Sequence, residues 1–327
     1  MAIPSNPKLE GFDIIQTPFK HVGDHGIRAD ILIPQKPHAG KRPTLVRYHA
    51  GGLMMGDSLN MDFWPHWLSD LALKHGAVII SPNYRLMPEA TSAEIYKDFE
   101  DFWTWLLSPA LAELLAAHTT PTELDLDRIL TTGESAGGLI SVWTALAHPT
   151  EIRAALAAYP WVDTDTTAFD EPSSTGGFGR DIPLSVYEDT MASVKLGTPT
   201  SSEESAARFG FMLAAIQHGK IYPLLRRGLE ESPYRDVLHP MRRLEEPGIR
   251  IPRGGIAVIH GRQDSILPAE GVERFVARAR EVTQGQPGSD KVILTLRDGD
   301  HGFDIPVRVE EQWMQDTFKR AVETWLE

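Results

Sequence analysis

The sequence contains no cysteine, which removes disulfides, thiolate metal sites and a thiol nucleophile from consideration. It lacks any apolar run long enough to cross a bilayer, and its first eight residues, Met1 to Lys8, carry no apolar signal core. No Lys/Arg cluster stands out, and 45 acidic against 32 basic residues leave a net charge of −13. Polyanionic partners are therefore disfavoured: neither nucleic acid nor stable membrane association is expected, and a soluble, cytoplasmic protein is. The twelve histidines show no H-E-x-x-H pair or comparable ligand spacing, so neither a metal nor a cofactor is expected.

What is present reads as a folded α/β chain. A hydrophobic content of 42% with 24% charged residues is ordinary for a globular protein, and 327 residues suit one large α/β domain. Residues 9–34 alternate loosely about a Gly23-Asp24-His25-Gly26 turn, predicting an edge β-hairpin with strands of about seven residues. Apolar strands follow at Thr44–His49 and Ala77–Pro82, with a helix near 62–75 between them. A long helix over 93–107 is marked by Ile95, Phe99, Phe102 and Leu106 at helical spacing. Later strands fall at Ala154–Pro160, Gly255–Gly261 and Lys291–Leu296, with helices at about 268–282 and 310–326. Such alternation predicts a mostly parallel sheet covered by helices on both faces. Residues 161–245 hold no convincing strand, only helical pieces near 183–196, 203–218 and 220–230. They are read as a helical insertion into a single 1–327 domain.

The stretch Gly133-Glu134-Ser135-Ala136-Gly137 lies between an apolar strand (Arg128-Ile129-Leu130) and an apolar, small-residue helix beginning at Leu139. This is the G-x-S-x-G pattern of a strand–turn–helix nucleophile elbow. The turn crowds its own backbone, so positions beside the serine need glycine, and the first helical amides are left without intrahelical partners. Ser135 is the candidate nucleophile. A serine hydroxyl needs a base within hydrogen-bond reach, and the base needs a group to fix its tautomer. The loop after the strand ending near Ile259 supplies Asp264, and the loop after the last strand supplies His301. Ligands of open α/β sheets bind beyond the carboxyl ends of the strands, where all three would meet in the order nucleophile, acid, base. Asp298 and Asp300 are rival acids, but lie too near His301 in sequence to reach its far nitrogen easily.

The loop His49-Ala50-Gly51-Gly52-Leu53-Met54-Met55-Gly56 follows an early strand, and adjacent glycines let exposed amides approach a substrate oxygen. Gly51, Gly52 and Ala136 are assigned as oxyanion donors, and His49 as an organiser of the loop. This loop resembles an H-G-G-G signature, and Tyr84-Arg85-Leu86-Met87-Pro88-Glu89 resembles Y-R-L-A-P-E. Together with Gly133–Gly138 and Gly299-Asp300-His301-Gly302-Phe303-Asp304, they are similar to the hormone-sensitive-lipase-like branch of the α/β-hydrolases over residues 40–327.

The resemblance implies an α/β-hydrolase fold with a helical cap at about 161–245. It also implies a structural role for Tyr84, Arg85 and Glu89 in bracing the loop. Ala50 replaces the usual glycine and is expected to limit bulky acyl or alcohol groups; Met87 replaces the usual alanine. Substrate contacts are expected from Leu53, Met54, Trp161 and Phe303. Apolar insertion residues such as Phe169, Phe178, Phe209 and Met212, with Met55 of the loop, would add to the pocket. The expected activity is cofactor-free hydrolysis of a small-to-medium apolar ester through an acyl-enzyme. The alternatives are an acyltransferase, an enzyme for a thioester or lactone intermediate, or a ligand-binding protein; the last would be expected to lack a triad residue. The sequence leaves a homodimer open.

Overall fold

The computed structural model describes residues 5–164, 171–229, 232 and 239–327. The Phe169 position, the start of the N-terminal segment (residues 1–4) and parts of 161–245 lie outside the described residues. Eight strands form one sheet: β1 (Phe12–Val22), β2 (His25–Pro34), β3 (Arg42–Tyr48), β4 (Val78–Pro82), β5 (Leu124–Gly133), β6 (Ile152–Ala158), β7 (Ile256–Gly261) and β8 (Ile293–Arg297). Their spatial order is β1-β2-β4-β3-β5-β6-β7-β8. The expected edge hairpin is present, with strands of 11 and 10 residues. Val22 pairs with His25, so its loop is the two residues Gly23-Asp24. β2 joins β4 antiparallel, and every pairing from β4 to β8 is parallel.

The parallel strands are apolar on both faces because helices cover both. Leu45, Ile79 and Leu130 face a core completed by α1 (His66–His75) and α10 (Gln312–Leu326). Val46 and Ile80 face the opposite core, built with α2 (Ser92–Leu106), α3 (Pro109–Ala116) and α4 (Ala136–Ala147). α2 begins at a full capping box: the Glu94 amide donates to Thr91 Oγ1 at 3.3 Å, and the Thr91 amide donates to Glu94 Oε2 at 2.8 Å. Its Ile95, Phe99, Phe102 and Leu106 are all buried, as their spacing requires.

Two elements depart from expectation. α3 lacks a broad apolar stripe, burying only Leu111 and Leu115, and is set off by a proline in its first turn. β5 starts at Leu124, four residues before its visible apolar run, because its first half carries Asp125 and Asp127.

Between β6 and β7 the described residues contain four helices: α5 (Leu184–Ser193), α6 (Ala206–Gln217), α7 (Ile221–Arg226) and α8 (Pro240–Arg243). α6 and α7 own no separate core. Phe211, Leu213, Ile221, Tyr222, Leu224 and Leu225 pack into the same cluster as α2 and the sheet. Polar straps reinforce this: Gly56 and Glu203 form an isolated antiparallel bridge, Arg208 pairs with Glu89, and Arg227 donates to the carbonyls of Pro88 and Ala90. α9 (Ala269–Val282) lies between β7 and β8. Among the described residues no helix is long and apolar enough to cross a membrane.

Two glycines test how tightly the centre is built. A Cβ on Gly137 would overlap the carbonyl oxygen of Tyr48 at the end of β3, whereas one on Gly23, at φ 59°, meets nothing within 4 Å. Gly137→Ala is expected to lower stability by at least about 3 kcal/mol, and Gly23→Ala by only about 1 kcal/mol, in urea unfolding. Equal losses would contradict the close approach.

Candidate active site

Ser135 stands between β5 and α4 with φ 55° and ψ −118°, a strained backbone for a residue with a side chain. The strain is held by neighbours. The Ser135 amide donates to the Ala158 carbonyl at 2.9 Å, and the Gly137 amide to that of Glu134 at 2.8 Å. A Cβ on Gly133 would overlap the carbonyl of Gly137. The turn therefore demands small residues at 133 and 137, and the intervening Ser135 is lifted to the carboxyl edge of the sheet.

Below the turn, Glu134 and Arg47 form an ion pair with both side chains wholly buried. Arg47 Nη2 is 2.8 Å from Glu134 Oε2, and Arg47 Nη1 donates to the Ser58 carbonyl at 3.1 Å. Its guanidinium also lies over the Trp64 ring at 4.6 Å. Burial pushes the Glu134 carboxyl up, and Arg47 opposes that rise. The sequence signal was a charged residue inside the apolar strand β3, which sequence reasoning passed over.

The structure brings Asp264 and His301 together. Asp264 follows β7, His301 follows β8, and Asp264 Oδ2 accepts from His301 Nδ1 at 2.8 Å. Its Oδ1 accepts from the amides of Ile266 at 2.9 Å and Leu267 at 2.7 Å, so the carboxylate is clamped by its own turn. Because Nδ1 donates to this carboxylate, His301 Nε2 is the nitrogen left for other partners. Asp300 does not bond the imidazole. It accepts from the amides of Ser265 and His301, both at 2.7 Å, and from Ser265 Oγ at 3.0 Å, linking the two loops. Burial would raise the Asp300 carboxyl, but these donors hold it below its usual range. Asp298 is exposed and faces Arg262 at 3.8 Å.

Ser135 and His301 line one cavity of about 190 Å³ together with Ala50, Gly51 and Gly52. Gly51 and Gly52 have φ of 116° and 62°. Among the described residues, the amides of Gly51, Gly52 and Ala136 have no backbone carbonyl partner. His49 is outside the cavity lining. Its Nδ1 donates to the Ala50 carbonyl at 2.7 Å, and Tyr84 stacks on its ring at 4.2 Å while donating to its carbonyl at 2.9 Å. Burial pushes the His49 imidazole down to about 4, keeping it neutral. Arg85 reaches past the loop to Asp98 at 2.9 Å, and so braces α2 instead.

Three expected substrate contacts are corrected. Leu53 and Met54 are fully buried in the core and do not line the cavity. The amides of Met54 and Met55 both donate to the Gly51 carbonyl, which folds the loop back and carries these side chains, Met55 included, inward. Phe303 does not line the cavity; it packs against Tyr159, which does, and against Trp313, with ring centroids 6.3 Å apart in each pair. Asp304 next to it is buried and accepts from Trp67 Nε1 at 2.8 Å. Trp161 does line the cavity, with Phe178, Phe209, Met212, Ile216 and Ile221 of the insertion and Ile266 and Leu267 of the acid loop. Ala50 lines the cavity as well.

The ion pair beneath the elbow gives a stability test. Arg47→Met strands a buried carboxylate and is expected to cost about 3–5 kcal/mol in urea unfolding near neutral pH. Adding Glu134→Gln should restore much of that loss. A loss under about 1 kcal/mol in the single variant would contradict the pairing.

The family model described as alpha/beta hydrolase fold matches residues 45–205. A probable carboxylesterase, M8, from Phoma sp. is 30% identical over 97% of both chains. Among solved structures, esterase B from Lactobacillus rhamnosis aligns with a TM-score of 0.61 at 16% identity, covering 97% of this chain and 85% of that one. Carboxyl esterase 2 from the fungus Tuber melanosporum aligns with a TM-score of 0.58 at 16% identity, covering 96% and 86%. At that identity the two structures speak for the fold, an eight-stranded, mostly parallel sheet flanked by helices. With an elbow serine, this sheet order and a full-length relative at 30% identity, the chain belongs to the hormone-sensitive-lipase-like branch of the α/β-hydrolase fold family and is a serine hydrolase.

Proposed function

We propose that the protein hydrolyses small-to-medium apolar carboxylic esters through an acyl-enzyme on Ser135. The observation that carries this reading is the 2.8 Å bond from His301 Nδ1 to buried Asp264, with His301 and Ser135 lining one apolar cavity. His301 Nε2 takes the Ser135 proton as Oγ attacks the ester carbonyl carbon. Charge on the carbonyl oxygen meets the amides of Gly51, Gly52 and Ala136, each such donor contributing about 10²–10³-fold in rate. The tetrahedral intermediate collapses, the ester C–O bond breaks, and His301 returns the proton to the departing alcohol. Water, deprotonated by the same nitrogen, then attacks the acyl carbon; the bond from that carbon to Oγ breaks, the acid is freed, and His301 returns the proton to Oγ. Asp264 holds the productive tautomer throughout and stabilises the imidazolium.

Substrate size follows from the cavity. Its 190 Å³ lies below the ~300–1,000 Å³ of common ligand pockets. Aromatic and aliphatic side chains form most of its wall, matching an apolar acyl or alcohol group. The name of the Phoma relative, a probable carboxylesterase, agrees with an ester as substrate class.

Ser135→Ala should abolish fluorophosphonate labelling and lower kcat by about 10⁴–10⁶-fold without unfolding. Retention of a tenth of the activity would remove Ser135 from the role. Asp264→Asn should cost about 10⁴-fold, and Asp298→Asn and Asp300→Asn far less; a larger effect at Asp300 would reassign the acid. Across p-nitrophenyl esters, kcat/KM should peak at butyrate to hexanoate, with no jump in rate when emulsion forms. A preference for long-chain triglyceride would overturn the proposed substrate size.

A further inference from the structure

We infer that His260 is a positioning residue for this reaction, holding the Asp264 carboxylate in register with His301 from inside the sheet. This role presupposes the catalytic assignment of Ser135, His301 and Asp264 proposed above. His260 is the penultimate residue of β7 and is wholly buried. Its Nε2 lies 2.8 Å from the Leu267 carbonyl, which can only accept, so this nitrogen carries the proton. The same nitrogen lies 3.4 Å from Asp264 Oδ2, the oxygen that also accepts from His301. Oδ1 is taken by the amides of Ile266 and Leu267 and Oδ2 by His301, while His260, from the strand, gives its N–H to the Leu267 carbonyl that closes the same turn.

Stability does not account for a histidine here. The rest of β7 before it, Ile256 to Ile259, is apolar, and burial lowers the His260 pKa, keeping the ring neutral. Its Nδ1 is buried without a hydrogen-bond partner among the described residues, which costs free energy that a leucine would not. The neighbouring strand position on β8 is Leu296, also apolar. The charged and titratable groups that face the ring are Asp264, His301 and, from α9, Glu270. What the imidazole gains for the protein is therefore at Asp264 and Leu267. Since Ile266 and Leu267 line the cavity and their amides clamp Asp264, the bond to the Leu267 carbonyl holds both the turn of the acid and the wall beside it.

The test compares His260→Leu, His260→Gln and His260→Asn in the full-length enzyme, counting competent sites by phosphonate titration of Ser135. The glutamine amide reaches the place of Nε2, whereas the asparagine amide stops near Nδ1. His260→Leu and His260→Asn should lower kcat per titrated site by about 10–100-fold, with KM within about threefold. Without the polar N–H that lies 3.4 Å from Oδ2, the Asp264 charge acts more strongly on His301, so the acid limb of kcat/KM should move to higher pH. His260→Gln should recover kcat to within about threefold of the parent and leave the limb in place. A merely structural role would change the titrated fraction without moving the limb. If His260→Leu does not fold, the glutamine and asparagine variants decide between the outcomes. Equal kcat and equal pH limbs in those two would overturn the inference. A parent enzyme that neither labels at Ser135 nor cleaves esters would instead remove the catalytic assignment itself.

Discussion

The carbonyl oxygen of Tyr48 occupies the space that a side chain on Gly137 would need, and most of the active site depends on that contact. It brings the N-terminus of α4 against the end of β3, so the loop after β3 and the turn after β5 share one small volume. The sheet order makes this possible, since β3 and β5 are parallel neighbours in register from Thr44–Ile129 to Tyr48–Gly133. Beneath the same two strands, Arg47 and Glu134 close the gap with buried opposite charges. Amides fixed by backbone contact need little reorganisation when charge develops near them, and such preorganisation is usually the largest contribution to catalysis.

The parts of the fold dictated by sterics or by continuous apolarity were legible in the sequence. Gly133 and Gly137 are required by overlap with backbone atoms, and β3, β4 and β7 are buried along their whole length. Asp264 could be placed because it follows such a strand, and His301 because it follows β8, which is only half-buried but apolar at Ile293, Leu294 and Leu296. Other features had weak local signals. The charged residues of early β5 hid its start, and α3 buries only two side chains. Leu53, Met54 and Phe303 were assigned to the pocket from adjacency to site residues, but adjacency does not determine side-chain direction. At Leu53 the backbone has φ 63°, and the chain turns back on itself. Much of the wall comes instead from residues distant in sequence, such as Met212 and Ile221, whose position depends on tertiary packing.

Asp264 and Asp300 show how two similar carboxylates in adjacent loops acquire different work. Asp264 turns one oxygen to an imidazole and spends the other on its own turn. Asp300 gives both oxygens to groups that join the loops, chiefly backbone amides. Ser265, bonded to Asp300, also accepts from the Phe178 amide at 2.8 Å. The insertion is thus tied to the Asp264 loop by the Ser265 hydroxyl, and the Asp264 loop to the His301 loop by two carboxylates.

The shared core of α6, α7 and the sheet has a mechanical consequence. A hinge that swung these helices aside would strip Phe211, Leu213, Tyr222 and Leu224 from the packing that also buries Phe99. Each such side chain is worth about 1.5–3 kcal/mol when buried, so the swing would approach the cost of unfolding the domain. Among the residues lining the cavity, Phe178 is 39% exposed and can change rotamer without disturbing that shared core. Rotamer flips of exposed residues take picoseconds to nanoseconds, against microseconds to milliseconds for a moving lid.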